Sequence, residues 1–239
     1  MVIRPLLLAG GKSSRMGTRK ELLRLPGGDF MFIHLLRMLH EAFPEHDVLY
    51  MSTKCRDTLN ELLSTDHIVR TGERAGTLTD NGPIRIEFLF DSDSFSPATH
   101  GSSEDIGPAA GLLAAYCADP AASWLVVACD FPLLEALALR QLLDEFGGSL
   151  TCYRNCKGIV EPLLAIWSPE ALLQLQLNAM QGQYGPRFVV EQVNAKTILP
   201  SRNKWLVNTN TTQEWHEALK LFTPPPTNGS PDEQKTLEW

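Results

Sequence analysis

The chain is poor in cysteine. Its five cysteines, in 239 residues, are odd in number, widely spread and contain no C-x-x-C pair. Neither a disulfide framework nor a zinc knuckle is indicated, and most are read as reduced core thiols. Long hydrophobic runs are also missing. No segment approaches the roughly 20 apolar residues of a membrane-spanning helix, and the apolar start is too short for a signal peptide. Positive charge is in deficit, with 21 Lys and Arg against 28 Asp and Glu and a net charge of −7. That balance argues against a surface built to coat nucleic acid or an anionic membrane. The six histidines lack the H-x-x-x-H and H-E-x-x-H spacings, and there are no internal repeats. What remains, 44% apolar and 21% charged residues, is the composition of an ordinary globular protein and excludes disorder of the whole chain. The expectation is a cytoplasmic protein, a monomer or weak homo-oligomer.

Apolar periodicity predicts strands over residues 2–9, 47–53, 84–90 and 124–129, alternating with helices over 30–43, 55–63, 109–118 and 133–146. Residues 12–20, 71–83 and 92–107 read as loops. Beyond residue 148 the order changes to strands near 150–154 and 159–167, a helix at 169–179, strand-like stretches at 187–199 and 205–207, and a helix from 211 to 221. The Pro-rich tail, 223–239, reads as disordered. The fold class implied is α/β, three layers, with a doubly wound, mostly parallel sheet in one domain over residues 1–222. Ligands in such sheets sit at the carboxyl ends of strands.

The strand end at Leu8 and Ala9 runs into Gly10 and Gly11. Two glycines there let the backbone turn tightly and leave N–H groups free to face phosphate oxygens. Residues 10–24 hold Lys12, Arg15, Arg19, Lys20 and Arg24 against Glu21 alone, a +4 island in a remainder of −11. A small polyanion fits that island better than a solvated face does. Gly11-Lys12-Ser13 is not a P-loop, because Leu6 stands where its first glycine is required, and no G-x-G-x-x-G follows the first strand. Asp130, after the apolar strand and before Phe131-Pro132, is either a Mg²⁺ ligand or the cap of the helix that follows. Asp91 is either a ligand-facing carboxylate or a turn initiator. Gly107, Pro108 and Gly111 open an Ala- and Leu-rich helix whose N-terminus suits an anion. Asn208, Asn210 and Thr211 with Glu214 read as a capping box whose turn also aims Asn208 inward.

The order Leu-Ala-Gly-Gly-x-Ser-x-Arg-Met-Gly over residues 8–17, then Lys20, closely resembles MobA-like nucleotidyltransferases of the molybdenum-cofactor guanylyltransferase type. Cys129-Asp130-Phe131-Pro132, Gly107-Pro108-Ala109-Ala110-Gly111 and Asn208-Thr209-Asn210-Thr211 with Glu214 resemble further stretches of that family. The resemblance spans residues 3–222. It implies that the loop of Leu8, Ala9, Gly10, Gly11, Lys12, Ser13 and Arg15 wraps a nucleoside triphosphate, with Lys20 on phosphate. It further implies that Asp91, Gly107, Pro108 and Gly111 border the nucleotide. Asp130 would hold Mg²⁺, joined by amide oxygen from Asn208 and Asn210, and Arg15, Lys20 and Asp130 would carry catalysis. Leu-Ala-Gly-Gly and Cys-Asp-Phe-Pro lean towards GTP rather than CTP. The implied acceptor is phosphorylated, molybdopterin in the family. A sugar phosphate or other alcohol phosphate is the alternative, and a non-catalytic nucleotide-binding scaffold is the other class. Arg19, Glu21 and Thr212 depart from the family pattern, as does Glu161 in Gly158-Ile159-Val160-Glu161-Pro162, where histidine is usual.

Overall fold

The computed structural model describes residues 2–11, 17–79, 82–94 and 106–222. Nine strands form one sheet with the order β3-β4-β5-β2-β1-β6-β8-β7-β9. They are β1 (Ile3–Leu8), β2 (Val48–Thr53), β3 (Ile68–Arg70), β4 (Ala75–Leu78), β5 (Ile84–Phe90), β6 (Ser123–Ala128), β7 (Leu150–Arg154), β8 (Val160–Trp167) and β9 (Lys196–Ile198). The centre, β5-β2-β1-β6, is parallel, with Leu6 opposite both Tyr50 and Val126. The pairings leave only β4 and β8 running against the rest. The mostly parallel expectation therefore holds.

β1 and β6 are apolar along most of their length, as strands covered on both faces are. Leu6, Leu8, Trp124 and Val126 pack on one face beneath α3 (Pro108–Ala118) and α5 (Pro169–Met180). Leu7, Met51, Leu125 and Val127 join the other face with α1 (Met31–Ala42), α2 (Arg56–Leu63) and α4 (Ala136–Glu145). Each such residue, fully buried, contributes about 1.5–3 kcal/mol. In α1 the buried Phe32, Leu35, Leu36 and Leu39 recur at helical spacing, and Pro44 follows its end. α5 starts at Pro169 behind Ser168, whose Oγ accepts from the Ala171 N–H at 3.3 Å.

The sequence reading needs three corrections. Residues 68–70, which the sequence reading left unassigned, and 75–78, which it placed in the 71–83 loop, form β3 and β4, an antiparallel edge. Gly76 is needed there, since a Cβ would stand 2.6 Å from Ile68 Cγ2. Residues 187–199 are not one strand-like stretch but a helix, α6 (Pro186–Gln192), followed by β9. Gly185-Pro186 starts that helix, and packing of Val189 and Val190 overrides their β propensity. The stretch at 205–207 lies in and after a 3₁₀ turn, Asn203–Leu206. The last helix, α7 (Thr212–Lys220), is as expected. The tail, 223–239, falls outside the described residues.

Candidate active site

The carboxyl ends of β1, β2, β5 and β6 share one edge of the sheet. β8, running the other way, begins at that edge and so brings Glu161 to it. A cleft of about 620 Å³ opens there, within the range of small-molecule sites. Leu8, Ala9, Gly10 and Gly11 line it beside Ser52 and Asp91, together with Gly107, Pro108 and Gly111. Lys20, Asp130 and Asn210 close it. Eleven residues singled out in the sequence thus converge on one space. Lys12, Ser13 and Arg15 lie outside the described residues.

Gly107 is the N-cap of α3 with φ +61°, the left-handed region that favours glycine. Gly107, Pro108 and Gly111 line the cleft, so the positive end of the helix faces it. Gly111 lets α3 approach the strands, for its Cβ would stand 2.7 Å from both Leu8 Cδ2 and Ser52 Oγ. Asp91 opens a 3₁₀ turn, Asp91–Asp93, with its carbonyl accepting from Ser94 Oγ at 2.6 Å. Its carboxylate accepts from Ser52 Oγ at 3.4 Å. Asp91 thus shapes a turn and borders the cleft at once.

Asp130 does not cap α4, whose first residue is Ala136 and whose N-cap is Glu135. Its backbone carbonyl accepts from the N–H of buried Thr209 at 3.0 Å, which fastens the late Asn turn to the end of β6. Its Oδ2 accepts from Asn208 Nδ2 at 2.8 Å, and Lys20 Nζ lies 3.9 Å away. Oδ1 is buried with no hydrogen-bond partner among the described residues. Burial pushes the Asp130 carboxyl above its usual range, against the pull of Lys20 and Asn208. A buried, part-satisfied carboxylate beside two amide oxygens is a donor set that fits a hard divalent cation. Thr211 and Glu214 form a capping box, with Glu214 Oε2 accepting from the N–H groups of Asn210 and Thr211 at 2.7 and 2.9 Å. Capping and inward aim of Asn208 hold together.

The cationic island is smaller than its charge count. Arg19 Nε donates to Glu21 Oε1 at 2.9 Å and Nη1 to Glu61 Oε2 at 2.8 Å. Arg24 lies over the Phe30 ring, 4.1 Å from its centroid, and donates to the Gly28 carbonyl. Glu21 is 1% exposed and borders the cleft. Burial raises its pKa and Arg19 offsets that. The two departures from the family pattern, Arg19 and Glu21, are therefore one compensated pair. Burial also pushes the Cys129 thiol well up, which keeps it protonated and unsuited as a nucleophile.

A second cleft of about 540 Å³ adjoins the first, sharing Leu163 and lined by Glu161, Arg187, Phe188, Glu191 and Asn208. Burial, then the Asp130 charge, push Glu161 up to about 7, and Arg187 counters. Arg187 and Phe188 escaped the sequence reading because α6 was taken as strand. Gly185-Pro186 was the signal available for it. Ser52, at the end of β2, carried no motif.

The model of the MobA-like NTP transferase domain matches residues 5–84 and 87–197. The chain belongs to this family. It is thereby a MobA-like nucleotidyltransferase. A probable molybdenum cofactor guanylyltransferase of Carboxydothermus hydrogenoformans is 30% identical over 225 residues, covering 91% of this chain and 95% of that protein. A molybdenum cofactor biosynthesis bifunctional protein of Synechocystis is 25% identical over 217 residues, 88% of this chain, and the chain spans about half (52%) of its length. In fold, the MobA-like chain is similar to the molybdopterin-guanine dinucleotide biosynthesis protein A of Archaeoglobus fulgidus. The TM-score is 0.63 at 18% identity, covering 91% of this chain and 97% of that one. No helix among the described residues is long and apolar enough to cross a membrane.

Proposed function

We propose that this MobA-like protein is a Mg²⁺-dependent guanylyltransferase that moves GMP from GTP onto the phosphate of molybdopterin and releases pyrophosphate. The carrying observation is the meeting of two clefts at Asp130 and Asn208, one lined by glycines and a helix N-terminus, the other by Glu161, Arg187 and Phe188. A two-substrate transfer needs such a junction. GTP occupies the larger cleft, its phosphates against the N–H groups near Gly10 and Gly11, the N-terminus of α3, and Lys20. Lys12 and Arg15 join them on the family resemblance. Asp130, with Asn208 and Asn210, holds Mg²⁺, which supplies charge neutralisation at the α-phosphate when bound. An acceptor phosphate oxygen in the second cleft attacks the α-phosphorus, and the bond to pyrophosphate breaks. Positioning and electrostatic stabilisation carry the rate, and no covalent intermediate is required. The relatives named as guanylyltransferases support the choice of GTP.

The test is pyrophosphate release from the purified chain with Mg²⁺, using GTP, CTP, ATP and UTP against molybdopterin and against ribose 5-phosphate and glucose 1-phosphate. The expected result is release with GTP and molybdopterin. Release with a sugar phosphate alone replaces the acceptor. Binding of GTP without release from any acceptor favours the scaffold class and overturns the enzyme reading.

A further inference from the structure

Lys20 does more than border Asp130. Its Nζ donates to Asn210 Oδ1 at 2.8 Å, Asn210 Nδ2 donates to Asn208 Oδ1 at 2.8 Å, and Asn208 Nδ2 donates to Asp130 Oδ2 at 2.8 Å. Lys20 Nζ lies 3.9 Å from that same Asp130 oxygen, so the four side chains close a ring. Three of the four side-chain oxygens offered to a cation are thereby already engaged, and the ammonium stands between a carboxylate and an amide oxygen. Those are the oxygen types that a small divalent cation takes.

We infer that Lys20 is a placeholder for the cation, so that the divalent cation enters with or after the nucleotide and not before it. In the free protein the ammonium compensates the part-buried Asp130 and occupies Asn210 Oδ1, while the Asn210 amide N–H occupies Asn208 Oδ1. A cation added alone meets a positive charge at close range in a partly buried site, where repulsion is weakly screened. A triphosphate changes the balance, because a charged phosphate oxygen is a stronger acceptor for an ammonium than an amide oxygen. The long, flexible stem of lysine lets Nζ move to it. Departure of Nζ frees Asn210 Oδ1 and releases the chain of amides above Asp130. Lys20 thus acts as a positioning residue towards the cation, through Asn210, besides touching phosphate. The inference rests on Asp130 being a cation ligand and does not depend on which nucleotide or acceptor is used.

The experiment is Mn²⁺ titration of the whole chain followed by electron paramagnetic resonance, with and without a non-hydrolysable GTP analogue. Wild type is expected to bind Mn²⁺ weakly alone and about tenfold or more tightly once the analogue is bound. Lys20→Met is expected to bind Mn²⁺ alone about tenfold more tightly than wild type does, while its affinity for the analogue falls. Lys20→Arg, which keeps the charge, stays near wild type for Mn²⁺ alone. A merely structural lysine gives no such gain. Unchanged or weaker Mn²⁺ binding by folded Lys20→Met overturns the inference, as does wild type binding Mn²⁺ equally well before and after the analogue is bound. If Lys20→Met fails to fold, as judged by its melting curve, Lys20→Gln, which also removes the charge, is titrated with Mn²⁺ alone and decides by the same gain or its absence. Failure of the GTP reading is seen separately, as no binding of the analogue by wild type.

Discussion

The two clefts share one edge of the sheet and are made of different material. The larger is walled by main chain and small residues, Ala9, Gly10, Gly11, Gly107, Gly111 and Ala128. The smaller is walled by long side chains, Glu161, Arg187, Phe188 and Glu191. A ligand in the first meets peptide N–H groups whose places follow from the strand ends. A ligand in the second meets rotamers on β8 and α6, each of which a point substitution can replace. On the proposed reading, the nucleotide half rests more on backbone geometry, whereas the acceptor half is open to respecification by single residues.

The strongest test of that contrast acts where the clefts meet. Asp130→Asn keeps the shape and removes the charge, and pyrophosphate release should fall about a thousandfold, the scale of losing one well-placed electrostatic contact in a transferase site. Full activity in that variant would remove Asp130 from the proposed catalytic machinery. Next comes the backbone-built wall. Gly111→Ala forces a Cβ against Leu8 and Ser52 and should cost about 1–3 kcal/mol of stability, measured by urea unfolding, with a higher KM for nucleotide. A neutral result would mean that α3 is free to shift and that the wall is not fixed by main chain.

In the side-chain cleft, Arg187→Ala should raise the acceptor KM by about tenfold, the value of one charged hydrogen bond, and leave the nucleotide KM alone. Equal rises in both constants would dissolve the distinction between the clefts. The smallest effect concerns Glu161. Its carboxyl, ordinarily near 4.5, stands at about 7 in the folded chain, so ionisation is harder folded than unfolded. Stability of the wild type should fall as pH rises from about 4.5 to about 7, and the loss should persist above that window. Glu161→Gln should remove this loss, melting higher than wild type above pH 7 and no differently below pH 4.5. The reverse order of melting temperatures would refute the half-buried placement of Glu161 near Asp130.

Legibility followed the same divide. Gly10 and Gly11, Asp130 before Phe131-Pro132, and the Asn208 to Glu214 turn were readable because each combines a strand end with residue types whose backbone or capping chemistry is local. The second cleft was not readable, because Arg187 and Phe188 line it only when residues 186–192 are helical, and β-branched Val189 and Val190 argued for strand. The charge of the first loop misled in a different way. Arg19 and Arg24 count as cations in the sequence, yet one is committed to Glu21 and Glu61 and the other to Phe30 and Gly28. The Glu61 partnership has no spacing that betrays it, since Glu61 comes from α2, 42 residues away.

The sequence by itself determined the alternation of strands and helices, the glycine turn after the first strand, and the order of motifs that marks the MobA-like family. These are short-range properties, set by apolar period, backbone freedom and cap chemistry. Only the tertiary structure decided that Asp130 holds Asn208 rather than capping a helix, that Lys20 closes a ring with residues 190 positions away, and that an antiparallel β8 brings Glu161 to the ligand edge. Those depend on strand order and direction, and no local spacing encodes which chain segments a sheet will place side by side.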